Sequence, residues 1–206
     1  MAVIDHLVYA VAELGPACDR IEASTGVRPA LGGAHPGMGS HNALVSLGSS
    51  YLEVIAPDPD QPQPAGPRPF GIDELDLPAL LTFAARPGPD ETIDDLVVAL
   101  RSVGQDPGEP MAMRRRTPDG VELHWRLTMP SGTADGVIPF LIDWGDTPNP
   151  ATTAPGGLSI EALTWSTSDE SARSVLDALG LDGASVAPAS GRHTARLRGA
   201  AGAITL

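Results

Sequence analysis

Three short apolar stretches along the chain share one pattern. His6-Leu7-Val8-Tyr9-Ala10, Leu80-Leu81-Thr82-Phe83-Ala84 and Ala162-Leu163-Thr164-Trp165-Ser166 each carry an aromatic residue in fourth place, and each suits a buried strand. A helical spacing of apolar residues follows each one. It is carried by Leu14, Cys18 and Ile21 before Gly26, by Ile93, Leu96, Val97, Leu100 and Val103 before Gly104, and by Ala172, Val175, Leu176 and Leu179 before Gly180. Apolar positions three and four apart give one buried stripe, and a glycine after the last turn accepts the left-handed C-cap conformation. Ser168-Asp169-Glu170 is read as the N-terminal cap of the third helix.

Short strands are expected after each helix. The first set is Arg28–Leu31, Asn42–Leu47 and Tyr51–Ala56; the second is Met111–Arg116, Val121–Thr128 and Val137–Trp144; the third is Ala184–Ala187, His193–Arg198 and Ala203–Leu206. Gly48-Ser49-Ser50 and Asp119-Gly120 read as turns between strands. The pattern is therefore one βαβββ unit met three times: residues 1–57, 79–145 and a shorter third, 158–206. The stretches between them, 58–78 and 146–157, are rich in Pro with Asp and Gln or with Thr and Gly. They read as linkers, since such composition cannot offset the entropy of packing.

Composition narrows the class. A chain of 206 residues with 42% hydrophobic and 19% charged residues can bury a core. No apolar run reaches the roughly 20 residues of a membrane span, and the start Met1-Ala2-Val3-Ile4-Asp5-His6 reads as a strand, not a signal peptide. Cys18 is the single cysteine, which excludes an internal disulfide and a cysteine zinc site and fits the cytoplasm. The net charge of −13 argues against nucleic acid as a partner. Arg114-Arg115-Arg116 is the one basic run, read either as an anion contact or as an outward face that neutralises nearby carboxylates.

A βαβββ unit that opens with Ile4-Asp5-His6-Leu7-Val8-Tyr9 and closes with Tyr51-Leu52-Glu53-Val54-Ile55-Ala56-Pro57 resembles the vicinal oxygen chelate superfamily, which includes glyoxalase I, bleomycin-resistance proteins and extradiol dioxygenases. The stretches His35 to Leu44 and Pro139 to Pro148 resemble its glyoxalase-like branch. The resemblance covers most of residues 1–150, and the third unit matches in element pattern alone. It implies an α+β fold in which repeated βαβββ units form curled mixed sheets around a cleft, with helices outside. It also implies a small-molecule ligand or substrate and one divalent metal (Zn, Ni, Fe or Mn) that would bind two adjacent substrate oxygens.

His6 and Glu53 match the family's first-strand histidine and fourth-strand carboxylate, and the resemblance makes them the metal ligands. The second unit departs from the pattern, with Leu80 and Leu141 in those places. Asp143, two residues beyond Leu141 and hence on its face, is read as a shifted ligand or general base, or else as a carboxylate that caps a turn. His124 shares a strand face with Glu122 and Arg126 and is the second candidate for proton transfer; His41 is read beside Glu53 as a further ligand-binding residue. Trp144 and Arg126 are the remaining ligand-binding candidates, while His35 and His193 are read as loop and surface residues.

Two functions stay open on the sequence. One is a metal-dependent lyase, isomerase or dioxygenase, motivated by His6 with Glu53. The other is a metal-free protein that binds or sequesters a small molecule, as in the bleomycin-resistance type, motivated by the missing ligand pair of the second unit. An odd number of units also suggests a homodimer that covers the third.

Overall fold

The computed structural model of the chain describes residues 1–74, 76, 78–116, 122–130, 137–181, 184–187 and 192–206. Its first elements are β1 (Val3–Ala10), α1 (Leu14–Thr25), β2 (Ala30–His35), β3 (Ser40–Ser46) and β4 (Tyr51–Pro57). Next come β5 (Ala79–Arg86), α2 (Ile93–Ser102), β6 (Met111–Arg116), β7 (Glu122–Leu127) and β8 (Phe140–Asp143). The last are β9 (Ser159–Ser166), α3 (Ala172–Leu179), β10 (Ser185–Ala187), β11 (Thr194–Arg198) and β12 (Ala203–Thr205). The order βαβββ thus occurs three times. The expected turn at Asp119-Gly120 lies outside the described residues.

Hydrogen bonding orders eight strands as β2-β3-β4-β1-β5-β8-β7-β6 and the other four as β10-β9-β11-β12. β5 with β8 and β9 with β10 run parallel, while β2-β3, β3-β4, β6-β7, β7-β8 and β11-β12 are antiparallel. Both sheets are therefore mixed, and the class is α+β. None of the described helices is long and apolar enough to cross a membrane.

Two compact units interleave along the chain. The first comprises Met1–His6, Thr82–Asn149 and Leu163–Arg192; the second comprises Leu7–Leu81, Pro150–Ala162 and His193–Leu206.

In the first unit α2 packs on β8 and α3. Its buried stripe is Ile93, Leu96, Val97 and Leu100, and α3 contributes Ala172, Val175, Leu176 and Leu179. Thr92 closes the N-terminus of α2 with a capping box: its hydroxyl accepts from Asp95 N at 3.2 Å, and the Asp95 carboxylate accepts from Thr92 N at 2.8 Å. Val103, expected on the stripe, lies one residue past the helix end and is half-buried. The α3 N-cap is Ser171, further along than the expected Ser168-Asp169-Glu170, and Asp169 accepts its backbone N–H at 2.8 Å. Phe83 stacks on the fully buried Trp165 with ring centroids 4.8 Å apart, which makes that tryptophan core.

In the second unit α1 packs on β3, β4 and β12. Leu14, Cys18 and Ile21 form its buried stripe, as the spacing requires. Gly26 ends it at φ 82°, and its N–H donates to Glu22 O. The β3–β4 register pairs Asn42 with Ile55 and Leu44 with Glu53. Asn42, Leu44, Glu53 and Ile55 therefore share one sheet face, and His41, Ala43, Val45, Leu52, Val54 and Ala56 share the other. β2 runs further than the pattern suggests, through His35, with a register shift between Leu31 and Gly33.

Both expected linkers hold structure of their own. Arg68, beside a short 3-10 segment (Pro69–Glu74), donates from Nε to Gly39 O at 2.7 Å. A 3-10 turn, Pro150–Thr152, follows Asn149.

Substituting Thr92→Ala removes one half of the capping box. It is expected to lower stability by about 1 kcal/mol, read as a lower urea midpoint at unchanged slope.

Candidate functional site

The first unit gathers donors around a buried carboxylate. Asp5 is fully buried on β1. His6 Nδ1 lies 2.7 Å from Asp5 Oδ1, Asn149 Nδ2 donates to Oδ2 at 2.6 Å, and Trp144 Nε1 reaches both oxygens at 3.3 and 3.2 Å. Arg86 Nε stands 3.4 Å from Oδ2. A carboxylate without water is costly unless such donors surround it, which explains why it is ringed from three segments. The pairing also sets the tautomer of His6. A carboxylate only accepts, so Nδ1 carries the proton given to Asp5. This is the arrangement in which a carboxylate orients an imidazole for ligation or proton transfer. The His6 ring meets Phe140 edge to face, with centroids 5.2 Å apart.

Trp144 carries this centre to an open groove of about 610 Å³. Its ring tilts against Trp125 with centroids 5.6 Å apart. Met113, Glu122, His124, Arg126, Asp143 and Asp146 also line the groove. Four residues singled out by the sequence, His124, Arg126, Asp143 and Trp144, thus come together. Their roles in the structure differ. Asp143 Oδ1 accepts Gly145 N–H at 3.0 Å, so it does cap the turn after β8; it also pairs in register with Arg126. Arg126 gives both terminal nitrogens to Asp94, at 3.1 and 3.3 Å. His124 Nε2 lies 3.5 Å from Glu122 Oε2 on an exposed strand face. Its backbone N–H and C=O are both bonded to the Thr147 hydroxyl, which fixes the 144–147 turn across β7.

The second unit holds a separate polar chain on the Glu53 face. Asn42 Nδ2 donates to Glu53 Oε1 at 2.6 Å and lies 3.1 Å from His35 Nε2. An amide nitrogen only donates, so His35 Nε2 accepts and the ring proton sits on Nδ1, 2.9 Å from Ser40 Oγ. His35 Nε2 stands 3.6 Å from Glu53 Oε1. His35 is thus part of a half-buried network, not a surface loop residue as its sequence context suggests. Asn42 fits only because residue 32 is glycine: a Cβ there would meet Asn42 Oδ1 at 2.3 Å. His41, expected beside Glu53, occupies the opposite sheet face. It approaches Asp58 instead, with Nδ1 3.9 Å from Oδ1. Asp58 is anchored by Gln61 Nε2 at 2.8 Å and by Asp60 N–H at 3.0 Å.

His6 lies in the first unit and Glu53 in the second. Leu80 and Leu141, which stand where the family places ligands in the second repeat, are both buried apolar side chains. Among the described residues no group of three or more His, Cys, Asp or Glu side chains gathers closely enough to hold a metal ion. The three-ligand set usual for a catalytic metal is thus not formed by them. Sequence reading missed Asp5, Asn149, Arg86, Asn42 and His35. Asp5 had one local signal, a charged residue inside an otherwise apolar strand; the others had none.

Removing the carboxylate by Asp5→Ala leaves the Trp144, Asn149 and His6 donors without their acceptor. It is expected to cost about 3 kcal/mol in urea unfolding, while Asp94→Ala on the surface leaves the midpoint nearly unchanged. A second expectation concerns acid. The hydrogen bond from Gln61, and then that from Asp60 N–H, hold the Asp58 carboxyl below its ordinary range, against the opposing effect of its burial. An unfolded Asp titrates near about 3.9. With the folded pKa depressed, Asp58 stabilises the fold above that pH and loses its contribution as pH falls toward the folded value. Asp58→Asn should flatten the acid limb of a stability–pH curve below about pH 4.

The sequence profile of the glyoxalase-like domain matches residues 4–180, which reaches to the end of α3. No curated protein matches the chain. Among solved structures, a hypothetical protein from Staphylococcus aureus superposes with a TM-score of 0.61 at 18% identity, over 100% of this chain and 84% of that one. Methylmalonyl-CoA epimerase from Mycobacterium tuberculosis gives a TM-score of 0.45 at 20% identity, over 72% of this chain and 91% of that one. At 18% identity the Staphylococcus aureus likeness is one of fold. The profile match over most of the chain settles the family: this protein belongs to the glyoxalase-like domain family of the vicinal oxygen chelate superfamily.

Proposed function

We propose that this glyoxalase-like protein binds a small organic molecule in the groove floored by Trp125 and Trp144. The observation that carries the reading is the anchoring of Trp144. Its N–H is committed to the buried Asp5, so the ring is held by its polar edge, and it lines the groove beside Trp125. Large fixed rings with a few polar groups at the rim suit a ligand of modest size. Arg126, His124 and Asp143 are then contact residues at that rim. The bleomycin-resistance type of metal-free binding or sequestering, which the sequence left open, agrees with this reading.

A metal-dependent lyase, isomerase or dioxygenase is the second reading, and one observation favours it. Asp5 holds His6 in the tautomer that presents Nε2, as an outer carboxylate does for a ligating histidine. Under that reading His6 would contribute a donor, with Asp143 or His124 moving a proton.

Elemental analysis of untagged, chelator-free protein separates the two, run beside His6→Ala and Glu53→Ala. The binding reading expects no stoichiometric Zn, Ni, Fe or Mn and no uptake on addition, together with thermal stabilisation by members of a small-molecule panel that is lost in Trp125→Leu. One equivalent of metal in the wild type that is lost in His6→Ala would establish the second reading in its place.

A further inference from the structure

The two faces of β6, β7 and β8 name a class of ligand, and the inference rests on the groove reading above. Register pairs Met113 with Trp125, Arg114 with His124, Arg126 with Asp143 and Leu127 with Ile142. Strand side chains alternate, so Met113, Leu123, Trp125, Leu127 and Ile142 share one face, while Arg114, Glu122, His124, Arg126 and Asp143 share the other. Burial along β7 follows the same alternation: Leu123, Trp125 and Leu127 are half-buried, and Glu122, His124 and Arg126 are exposed. Trp144 lies two residues beyond Ile142 and keeps the apolar face, where its ring meets Trp125.

Charge is thus sorted by face. The floor of the groove is Met113, Leu123, Trp125 and Trp144, none of which carries a charge. The ionic side chains of β7 and β8 reach the groove only at its rim, from the reverse face. There Asp94 holds the Arg126 guanidinium, and Asp143 is engaged by the Gly145 N–H. The Trp144 N–H is already given to Asp5, so that indole offers an anion no donor. An ion laid on this floor would give up hydration and meet no opposite charge. The pull of an indole face on a cation at an open site is small beside the hydration an ammonium gives up. A neutral ring loses little water and gains ring-on-ring contact, and Met113, opposite Trp125 in register, adds a polarisable thioether.

From this geometry we infer that the groove takes an uncharged aromatic molecule. Its flat ring system lies on Met113, Trp125 and Trp144, and any hydroxyl or carbonyl it carries turns to the rim.

Isothermal titration calorimetry on the whole protein tests this with three probes of one shape, substituted at the same ring carbon: naphthylmethanol, protonated naphthylmethylamine and naphthoate. The alcohol is expected to bind about tenfold more tightly than either ion, with an affinity indifferent to salt. Two neighbouring positions then separate the faces. Met113→Glu puts a carboxylate on the floor and should reverse the order, with the ammonium overtaking the alcohol, whereas Met113→Leu keeps the wild-type order. Arg114→Glu makes a larger charge change on the exposed reverse face and should also keep the wild-type order. Either ion binding as tightly as the alcohol, or Met113→Glu and Arg114→Glu acting alike, would overturn the inference. If Trp125→Leu abolishes binding in that case, the groove reading survives with another class of ligand. If none of the three binds at millimolar concentration, the groove reading fails and the inference with it.

Discussion

The burial of Asp5 is the constraint on which the first unit turns. A charged carboxylate with no exposure must be surrounded by donors, or the fold would lose several kcal/mol. Here the donors come from Trp144 and Asn149, which lie 139 and 144 residues away along the chain, and from the adjacent His6. Meeting that requirement fixes where β8 must end, how the turn after it must run and where the following segment must pass. Asp143 and Thr147 close that turn from inside, the first by capping Gly145 N–H and the second by bonding both backbone groups of His124. The groove is a consequence of that arrangement. A tryptophan pinned by its polar edge has its ring held in place, and β7 brings Trp125 against it.

The second unit solves a similar problem with neutral groups. Glu53 interrupts a strand of apolar residues and is nearly buried. It is met by an asparagine on the neighbouring strand, and the asparagine by a histidine on the strand beyond, so the polar chain crosses three strands in sequence order. It can do so because β2, β3 and β4 are consecutive antiparallel neighbours with Ser40, Asn42 and Glu53 on one face. The glycine at position 32 gives the asparagine its room.

Family membership and chemistry part company at this point. The chain keeps the elements and the profile of a glyoxalase-like domain, yet the second repeat fills its ligand places with buried leucines. Its polar residues are spent on holding Asp5, on capping the turn after β8 and on the Glu53 chain. The chain presents a groove lined by Trp125 and Trp144, and side chains, not the strand order, give that groove its character.

By itself the sequence determined the elements. Periodicity and glycine stops located three helices and the strands about them, because a buried stripe and a left-handed C-cap are local requirements written in local residues. The resemblance in Ile4 to Tyr9 and Tyr51 to Pro57 carried the fold class. It could not decide which polar residues meet. His41 and Asn42 are adjacent in sequence and differ by one residue of register, and that alone puts one beside Glu53 and sends the other to the opposite face toward Asp58. His35 read as a loop residue because its partners, Ser40 and Asn42, reach it only once β2 and β3 pair. Asp5 drew no notice because its donors lie at the far end of the second repeat. Strand register and long-range convergence are properties of pairing, not of composition, and only the tertiary structure holds them.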